Sequence, residues 1–291
     1  MRFSPEFLRR LEMIPSLFRI RDLQTVCDDA GRHDSHRLGS GTEFAQHRKY
    51  GPGDDIRYLD WKLYARLGTL YTKEYSAEGC RAVRILIDSS GSMAFGSPTK
   101  FDHALNLAAG IMFFSLRALD RVSLLAWNTR IRETLLNLRG IPSFARGIRF
   151  LESLRPDNEQ TDLAACGHEL VSRRISPGPV WILGDFYDPE GLQYTLTFLR
   201  HYRYTPVLIR ITDPSETNGP PPGFYTLIDS ETGARKEVEV TGPSRKEYVR
   251  RFEEYSSTLR STAKRFGVRM REASTAVPAE TFLLRLVEEF R

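Results

Sequence analysis

From residue 81 onward the chain alternates short aliphatic runs with amphipathic stretches. Arg81–Asp88 (RAVRILID), Arg121–Trp127 (RVSLLAW), Pro179–Asp185 (PVWILGD) and Tyr204–Thr212 read as strands, with Ile131–Leu138 as a further strand beside the second. Lys100–Leu119, Pro142–Leu154, Thr161–Arg173 and Pro189–His201 read as helices. In the first of these, Phe101, Ala104, Leu105, Ala108, Met112, Ser115 and Leu119 share one face. Strands that are nearly continuous apolar runs, separated by helices, predict a parallel sheet covered on both faces. The fold class is therefore α/β, with a doubly wound, mostly parallel sheet.

The flanks modify this plan. Residues 213–222 (DPSETNGPPP) break the pattern, and Phe224–Ile228 with Arg235–Thr241 predict a β-hairpin insertion at about 223–242. Ser244 and Glu247 predict a capping box opening a long helix that Gly267 closes. Val268–Ala273 returns as a strand and Ala279–Phe290 as a final helix. At the other end, Ser4 and Pro5 start a short amphipathic helix with Phe7, Leu8, Leu11, Ile14 and Phe18 at helical spacing. Residues 28–53 are polar and Gly-rich and read as loop. The boundary falls at 79/80: residues 1–79 form an N-terminal segment packing on the core, and residues 80–291 form the sheet domain.

Composition narrows the function classes. The 291 residues are 41% hydrophobic and 27% charged, ordinary values for a globular chain. The longest apolar run, Ala108–Phe114, is far short of the roughly 18–20 residues that span a bilayer. The first 25 residues hold no apolar signal core, so a cytoplasmic location is expected. Cys27, Cys80 and Cys166 are odd in number and widely spaced, which argues against a disulfide framework or a cysteine zinc site. The net charge is +5, and Arg outnumbers Lys 35 to 7, with no dense basic cluster. The arginines of 245–265 interleave with Glu247, Glu253 and Glu254, as on a solvated, ion-paired face. No nucleic-acid partner is expected.

The chemistry concentrates where strands end. Asp88 closes the first strand of the sheet and is followed by Ser90 and Ser92, whose hydroxyls can face the same point. Ligands in open α/β sheets bind outside the carboxyl ends of strands. One carboxylate with two hydroxyls is a hard oxygen set that suits Mg²⁺, with Mn²⁺ also accommodated. Thr161 stands just before a helix, and Asp185 ends a strand as Asp88 does. The competing reading of Asp88–Ser92 and of Thr161 is helix or loop capping; Asp162 reads as a cap.

The set Asp88-x-Ser90-x-Ser92, Thr161 and Asp185 resembles the metal-ion-dependent adhesion site of von Willebrand factor A domains. The resemblance implies direct ligation by both serines, direct or water-mediated ligation by the threonine, and aspartates acting largely through water. It also implies that a partner's carboxylate completes the coordination. A second resemblance covers residues 35–80, in which Gly41, Glu43, Phe44, Arg48, Tyr50, Pro52, Gly53, Asp54, Asp55, Arg57, Asp60, Trp61, Lys62, Ala65 and Arg66 occur almost without gaps. That block looks like domain-of-unknown-function family 58, which places it before a von Willebrand factor A domain. The chain resembles the short branch that lacks the two N-terminal transmembrane helices of many members. Such proteins are associated with MoxR-type AAA+ ATPases, so the resemblance implies a partner or adaptor of such an ATPase in chaperone-like assembly or maturation.

The block also has its own physical reading. Pro52–Asp55 forms a turn, Asp54, Asp55 and Asp60 alternate with Arg48, Arg57 and Arg66, and Trp61 supplies a large apolar surface. The set either staples the N-terminal segment or forms a partner-docking surface of Arg48, Asp54, Asp55, Arg57, Asp60 and Trp61. His47, His103 and His168 have no metal-ligand spacing and read as surface or core histidines. The rival function is a Mg²⁺-dependent hydrolase or phosphatase with Asp88 as nucleophile. Against it, Ser90 stands where a dehalogenase-type phosphatase needs a second aspartate, and neither a P-loop nor a G-x-S-x-G elbow occurs. A non-catalytic, metal-dependent interaction module is the leading expectation.

Overall fold

The computed structural model describes residues 3–14, 43–51, 56–76, 81–157, 161–173, 177–228 and 234–289. Two compact units emerge, one joining Met1–Cys27 to Arg81–Arg291 and the other comprising Asp28–Cys80. The N-terminal helix α1 (Pro5–Met13) thus groups with the sheet, and the second unit begins after it. Ser4 caps α1 by accepting from the Phe7 N–H at 3.0 Å, and Pro5 occupies the first turn, where its missing N–H costs nothing. Phe7, Leu11 and Ile14 join the main core. Phe18 lies outside the described residues.

The smaller unit pairs β1 (Glu43–Lys49) antiparallel with β2 (Tyr71–Ser76), with a 3₁₀ turn at Ile56–Tyr58 and helix α2 (Trp61–Leu67) between them. Within the stretch 28–53 expected as loop, residues 43–49 form a strand, while 28–42, 52 and 53 lie outside the described residues. Glu43–Lys49 lacks an apolar alternation of its own, and its extended form comes from pairing with β2. Asp60 caps α2, accepting from the Lys62 and Leu63 N–H groups at 3.0 Å each. Gly68, at φ 64°, ends the helix in the left-handed conformation that glycine adopts without penalty.

In the larger unit, β3 (Ala82–Asp88) leads through a loop to α3 (Lys100–Arg117), then β4 (Arg121–Trp127) and β5 (Ile131–Arg139). A 3₁₀ turn at Ile141–Ser143 runs into α4 (Phe144–Ser153), followed by α5 (Leu163–Ser172), β6 (Pro179–Gly184), α6 (Pro189–His201) and β7 (Thr205–Thr212). The breaker at 213–222 contains a short helix, α7 (Pro214–Asn218), opened by a reciprocal capping box of Asp213 and Glu216. The hairpin β8 (Gly223–Ile228) and β9 (Arg235–Val240) forms as expected. Helix α8 (Gly242–Arg265) is capped by Thr241 with Ser244, three residues ahead of the expected Ser244–Glu247 box. Pro243 fits that earlier start, and Glu247 instead pairs with Arg250 and Arg251. Strand β10 (Arg269–Ser274) and helix α9 (Ala279–Glu289) close the chain.

The sheet runs β10-β7-β6-β3-β4-β5, parallel throughout except for the antiparallel β4–β5 edge. This is the doubly wound, mostly parallel architecture expected, with its N-terminal extension and hairpin insertion. Alternate residues feed two cores. Val83, Ile85, Ile87, Trp181 and Leu183 meet α1, α3, α4 and α9, whereas Leu86, Val180 and Ile182 meet α5, α6 and α8. Each such fully buried aliphatic side chain contributes roughly 1.5–3 kcal/mol. Both faces being covered, the carboxyl edge is where the sheet can present polar groups. No helix among the described residues is long and apolar enough to cross a membrane.

Candidate metal centre

Strands β3 and β6 are parallel neighbours, with Ile87 in register with Leu183, so Asp88 stands level with Gly184 and Asp185 follows one residue further along the same edge. Both aspartates are buried. Ser89 continues β3 toward β4: its N–H and its hydroxyl both donate to the Trp127 carbonyl, at 2.8 and 2.9 Å. Its side chain is thereby committed to the fold, and the chain turns at the next residue. The Ser90 N–H donates to Asp88 Oδ1 at 2.9 Å, and the Ser90 and Ser92 hydroxyl oxygens lie 3.1 Å apart. Met93, fully buried, pins this 3₁₀ turn (Gly91–Ala94) into the core. Asp88, Ser90 and Ser92 therefore converge as their spacing predicts, and Ser92 reaches partial exposure.

Gly184 makes the convergence sterically feasible. A Cβ there would stand 2.9 Å from Asp88 Oδ2, so the carboxylate lies against bare backbone at the end of β6. Asp88 Oδ2 itself is buried with no hydrogen-bond partner. A buried carboxylate oxygen left unmatched is costly and marks a place where a cation fits. The donor set beside it, a carboxylate with two hydroxyls, is hard oxygen, the chemistry that Mg²⁺ and Mn²⁺ take. Among the described residues no three His, Cys, Asp or Glu side chains gather at one point, so hydroxyls supply what this centre lacks in acids. Burial, and then the neighbouring Asp185 charge, push the Asp88 carboxyl up to about 7.

Thr161 stands partly exposed ahead of α5. The flanking backbone is tied to the same edge: the Asp157 N–H donates to the Ser89 carbonyl at 2.7 Å and the Asp162 N–H to the Asn128 carbonyl at 3.1 Å. The cap of α5 is Asp162, which accepts from the Ala165 N–H at 2.8 Å, so capping does not account for Thr161.

Asp185 has a partner that its sequence context did not indicate. The Lys100 ammonium, with no exposed surface, donates to Asp185 Oδ2 at 2.8 Å and to Glu216 Oε1 at 2.6 Å. The Tyr187 ring covers it at 5.1 Å. Burial alone would lower the Lys100 pKa, but the two carboxylates outweigh that and raise it. Glu216 accepts in turn from the Asp213 N–H, and Asp213 Oδ2 from the Thr275 hydroxyl at 2.6 Å. The ends of β6, β7 and β10 are thus laced together through one lysine at the start of α3. The signal was present in the sequence. In a chain with 35 Arg and 7 Lys, a lysine opens an apolar helix, at the end where the helix dipole disfavours a cation. After Asp185, Phe186 takes a left-handed conformation (φ 56°) that is strained for a bulky residue, and the Tyr255 hydroxyl holds its carbonyl.

The family model described as "Protein of unknown function DUF58" matches residues 46–258. The chain belongs to the DUF58 family. Two uncharacterized mycobacterial proteins, Rv1480 of Mycobacterium tuberculosis and Mb1516 of Mycobacterium bovis, are each 25% identical over 233 residues, which is 79% of this DUF58 chain and 73% of theirs. Among solved structures, the conserved hypothetical protein BatB from Bacteroides thetaiotaomicron aligns with a TM-score of 0.47 and 13% identity, over 72% of this chain and 98% of its own. The proximal thread matrix protein 1 of the mussel byssus, with a zinc-occupied MIDAS motif, aligns with a TM-score of 0.43 and 12% identity, over 72% and 47%.

The other predicted site residues belong to the smaller unit of this DUF58 chain. Arg48 on β1, Arg57 in the 3₁₀ turn and Trp61 at the start of α2 are exposed, Trp61 by 62% with its ring edge-on to Tyr64 at 6.3 Å. Asp54 and Asp55 lie outside the described residues. Asp60 is buried. Besides capping α2 it meets His47 Nε2 at 2.9 Å and Lys73 Nζ at 3.4 Å, one from each strand. The His47 hydrogen bond first, then the Leu63 N–H, pull its carboxyl down to about 2. Asp60 is thus an internal tie, meeting His47 from one strand and Lys73 from the other.

Proposed function

We propose that this DUF58 protein is a non-catalytic, protein-binding module whose carboxyl-edge centre takes a divalent cation, Mg²⁺ or Mn²⁺. The observation that carries the reading is the buried, unpartnered Asp88 Oδ2 beside the converged Ser90 and Ser92 hydroxyls. Asp88, Ser90, Ser92 and Thr161 would hold the ion, and Asp185 would act from behind. A bound ion would supply a Lewis-acidic point at the rim that a carboxylate of a partner protein completes. The chain's own residues orient the oxygens: the Ser90 N–H fixes one Asp88 oxygen, Gly184 gives the other room, and Met93 anchors the turn. The resemblance seen in the sequence makes a MoxR-type AAA+ ATPase the partner to try first, with a cytoplasmic setting. The hydrolase reading keeps Asp88 but has Ser90 where an acid is needed.

Calorimetric titration of Mg²⁺ and Mn²⁺ into the full chain and into Ser90→Ala/Ser92→Ala tests the reading. One-site binding in the wild type and none in the variant is expected. Equal binding in both would sink it. Metal-dependent turnover of p-nitrophenyl phosphate, lost in Asp88→Asn, would favour the hydrolase instead.

A further inference from the structure

We infer that Lys100 is a resident cation that holds Asp185 away from the metal and keeps the centre weak on its own, so that firm binding requires a partner's anion. The inference rests on the metal-centre reading above and concerns what sets the affinity there. Three observations lead to it. Lys100 is fully buried, so its charge is neither screened by water nor free to move aside. Its two hydrogen bonds go to Asp185 Oδ2 and Glu216 Oε1, and the Tyr187 ring lies over it at 5.1 Å. It is the first residue of α3, capped by Thr99, while the serine turn of the centre lies just before it, so one short loop fixes both.

The consequence is electrostatic. Asp88 and Asp185 would together offer a cation two negative charges. With an ammonium 2.8 Å from Asp185, one of those charges is already answered inside the protein. Lys100 is shared with Glu216, so the cluster keeps negative charge overall, but an incoming divalent ion meets a fixed positive charge in contact with Asp185. Glu216 holds Lys100 as well, at 2.6 Å, which restrains the ammonium when a metal arrives. A carboxylate brought by a partner would restore the missing negative charge from the solvent side. Metal and partner would then bind with positive coupling, each raising the affinity of the other.

The test is calorimetric titration of Mn²⁺ and Mg²⁺ into the full-length wild type, Lys100→Met, Lys100→Arg and Lys100→Gln/Glu216→Gln. Lys100→Met is expected to bind at least about tenfold more tightly than wild type, since a like charge has been removed from a water-poor site. Lys100→Arg should stay weak. The double variant removes one positive and one negative charge, so the net charge is unchanged and a hydrogen-bonded neutral pair remains. It should still bind several-fold more tightly than wild type, because the charge it loses beside Asp185 is the nearer one. Should Lys100→Met fail to fold, the double variant decides: tighter binding supports the inference, and unchanged or weaker binding overturns it. Binding in a Lys100 variant where the wild type is silent supports it as well. Wild-type binding that both substitutions leave unchanged overturns the role of Lys100 while the metal centre stands. Silence in every folded protein overturns both.

Discussion

Of the three cations buried beside the sheet among the described residues, Lys100, Arg84 and Arg210, the first two lie at opposite ends of it and are held by different physics. Lys100, at the carboxyl edge, touches two carboxylates. Arg84, near the start of β3, is 1% exposed; it donates to the Ala82 carbonyl and lies 5.4 Å from the Tyr204 ring centre. Burial lowers the Arg84 pKa to about 10, only partly offset by Tyr204, whereas the carboxylates carry Lys100 the other way. Both charges are costly to bury. At the amino end the cost is borne by packing, one backbone carbonyl and an aromatic face. At the carboxyl edge the charge is answered by acids, and one of them, Asp185, belongs to the candidate site. A buried ion pair of this kind is weak evidence of stability design and better evidence of a role in setting the site.

Substitution breaks or sharpens that contrast. The largest effect is expected from Lys100→Met in metal-free protein. It leaves Asp185 and Glu216 buried without their cation and should cost about 3–5 kcal/mol in urea unfolding. Arg84→Met, by the same measurement, should fall within about 1 kcal/mol of wild type, since packing rather than pairing holds it. Equal losses in both would erase the contrast.

Gly184→Ala comes next. The added methyl must displace the Asp88 carboxylate, so metal binding should weaken by at least about tenfold while stability falls by about 1–3 kcal/mol. Unchanged metal affinity would show that Asp88 does not need its present position.

Asp120, just before β4 at the amino edge of the sheet, gives a pH-dependent test. Burial raises its carboxyl to about 6, against the pull of Arg81. The folded protein therefore binds the proton more tightly than the unfolded chain does. Asp120 favours folding below about pH 4, and that contribution is lost as pH rises through 6. Asp120→Asn, which keeps an acceptor for the Arg81 N–H, should raise the melting temperature at pH 7.5, and the gain should vanish at pH 3.5. After allowance for solvent screening the gain at neutral pH is about 1–2 kcal/mol. A gain that persists at pH 3.5 would mean the effect is not the charge. Glu247→Ala, on the exposed face of α8, should leave the melting temperature unchanged, because its pairs with Arg250 and Arg251 are open to water.

Much of this protein is legible one residue at a time. The aliphatic runs at 81–88, 121–127, 179–185 and 204–212 become strands because strands covered on both faces need no polar alternation. Asp88, Ser90 and Ser92 converge because a strand end and a tight turn bring positions two apart together, while the room for the carboxylate comes from Gly184 on another strand. Asp162 caps its helix for an equally local reason.

The elements misplaced by pattern are those whose state depends on a partner in space. Strand β1 has no apolar alternation and is extended through β2. Helix α8 starts at Thr241 because a Thr–Ser box and Pro243 act before the Ser–Glu pair does. Asp60 draws its side-chain partners, His47 and Lys73, from two strands, one on either side of it in sequence.

Lys100 is the extreme case. Its partners lie 85 and 116 residues away, and only the order of β3, β6 and β7 in the sheet brings them to it. Sequence alone determines which residues can bind a hard cation, since that follows from the chemistry of their oxygens. How strongly they would bind one is decided by the tertiary structure, because it sets which charges share a medium too dry to screen them.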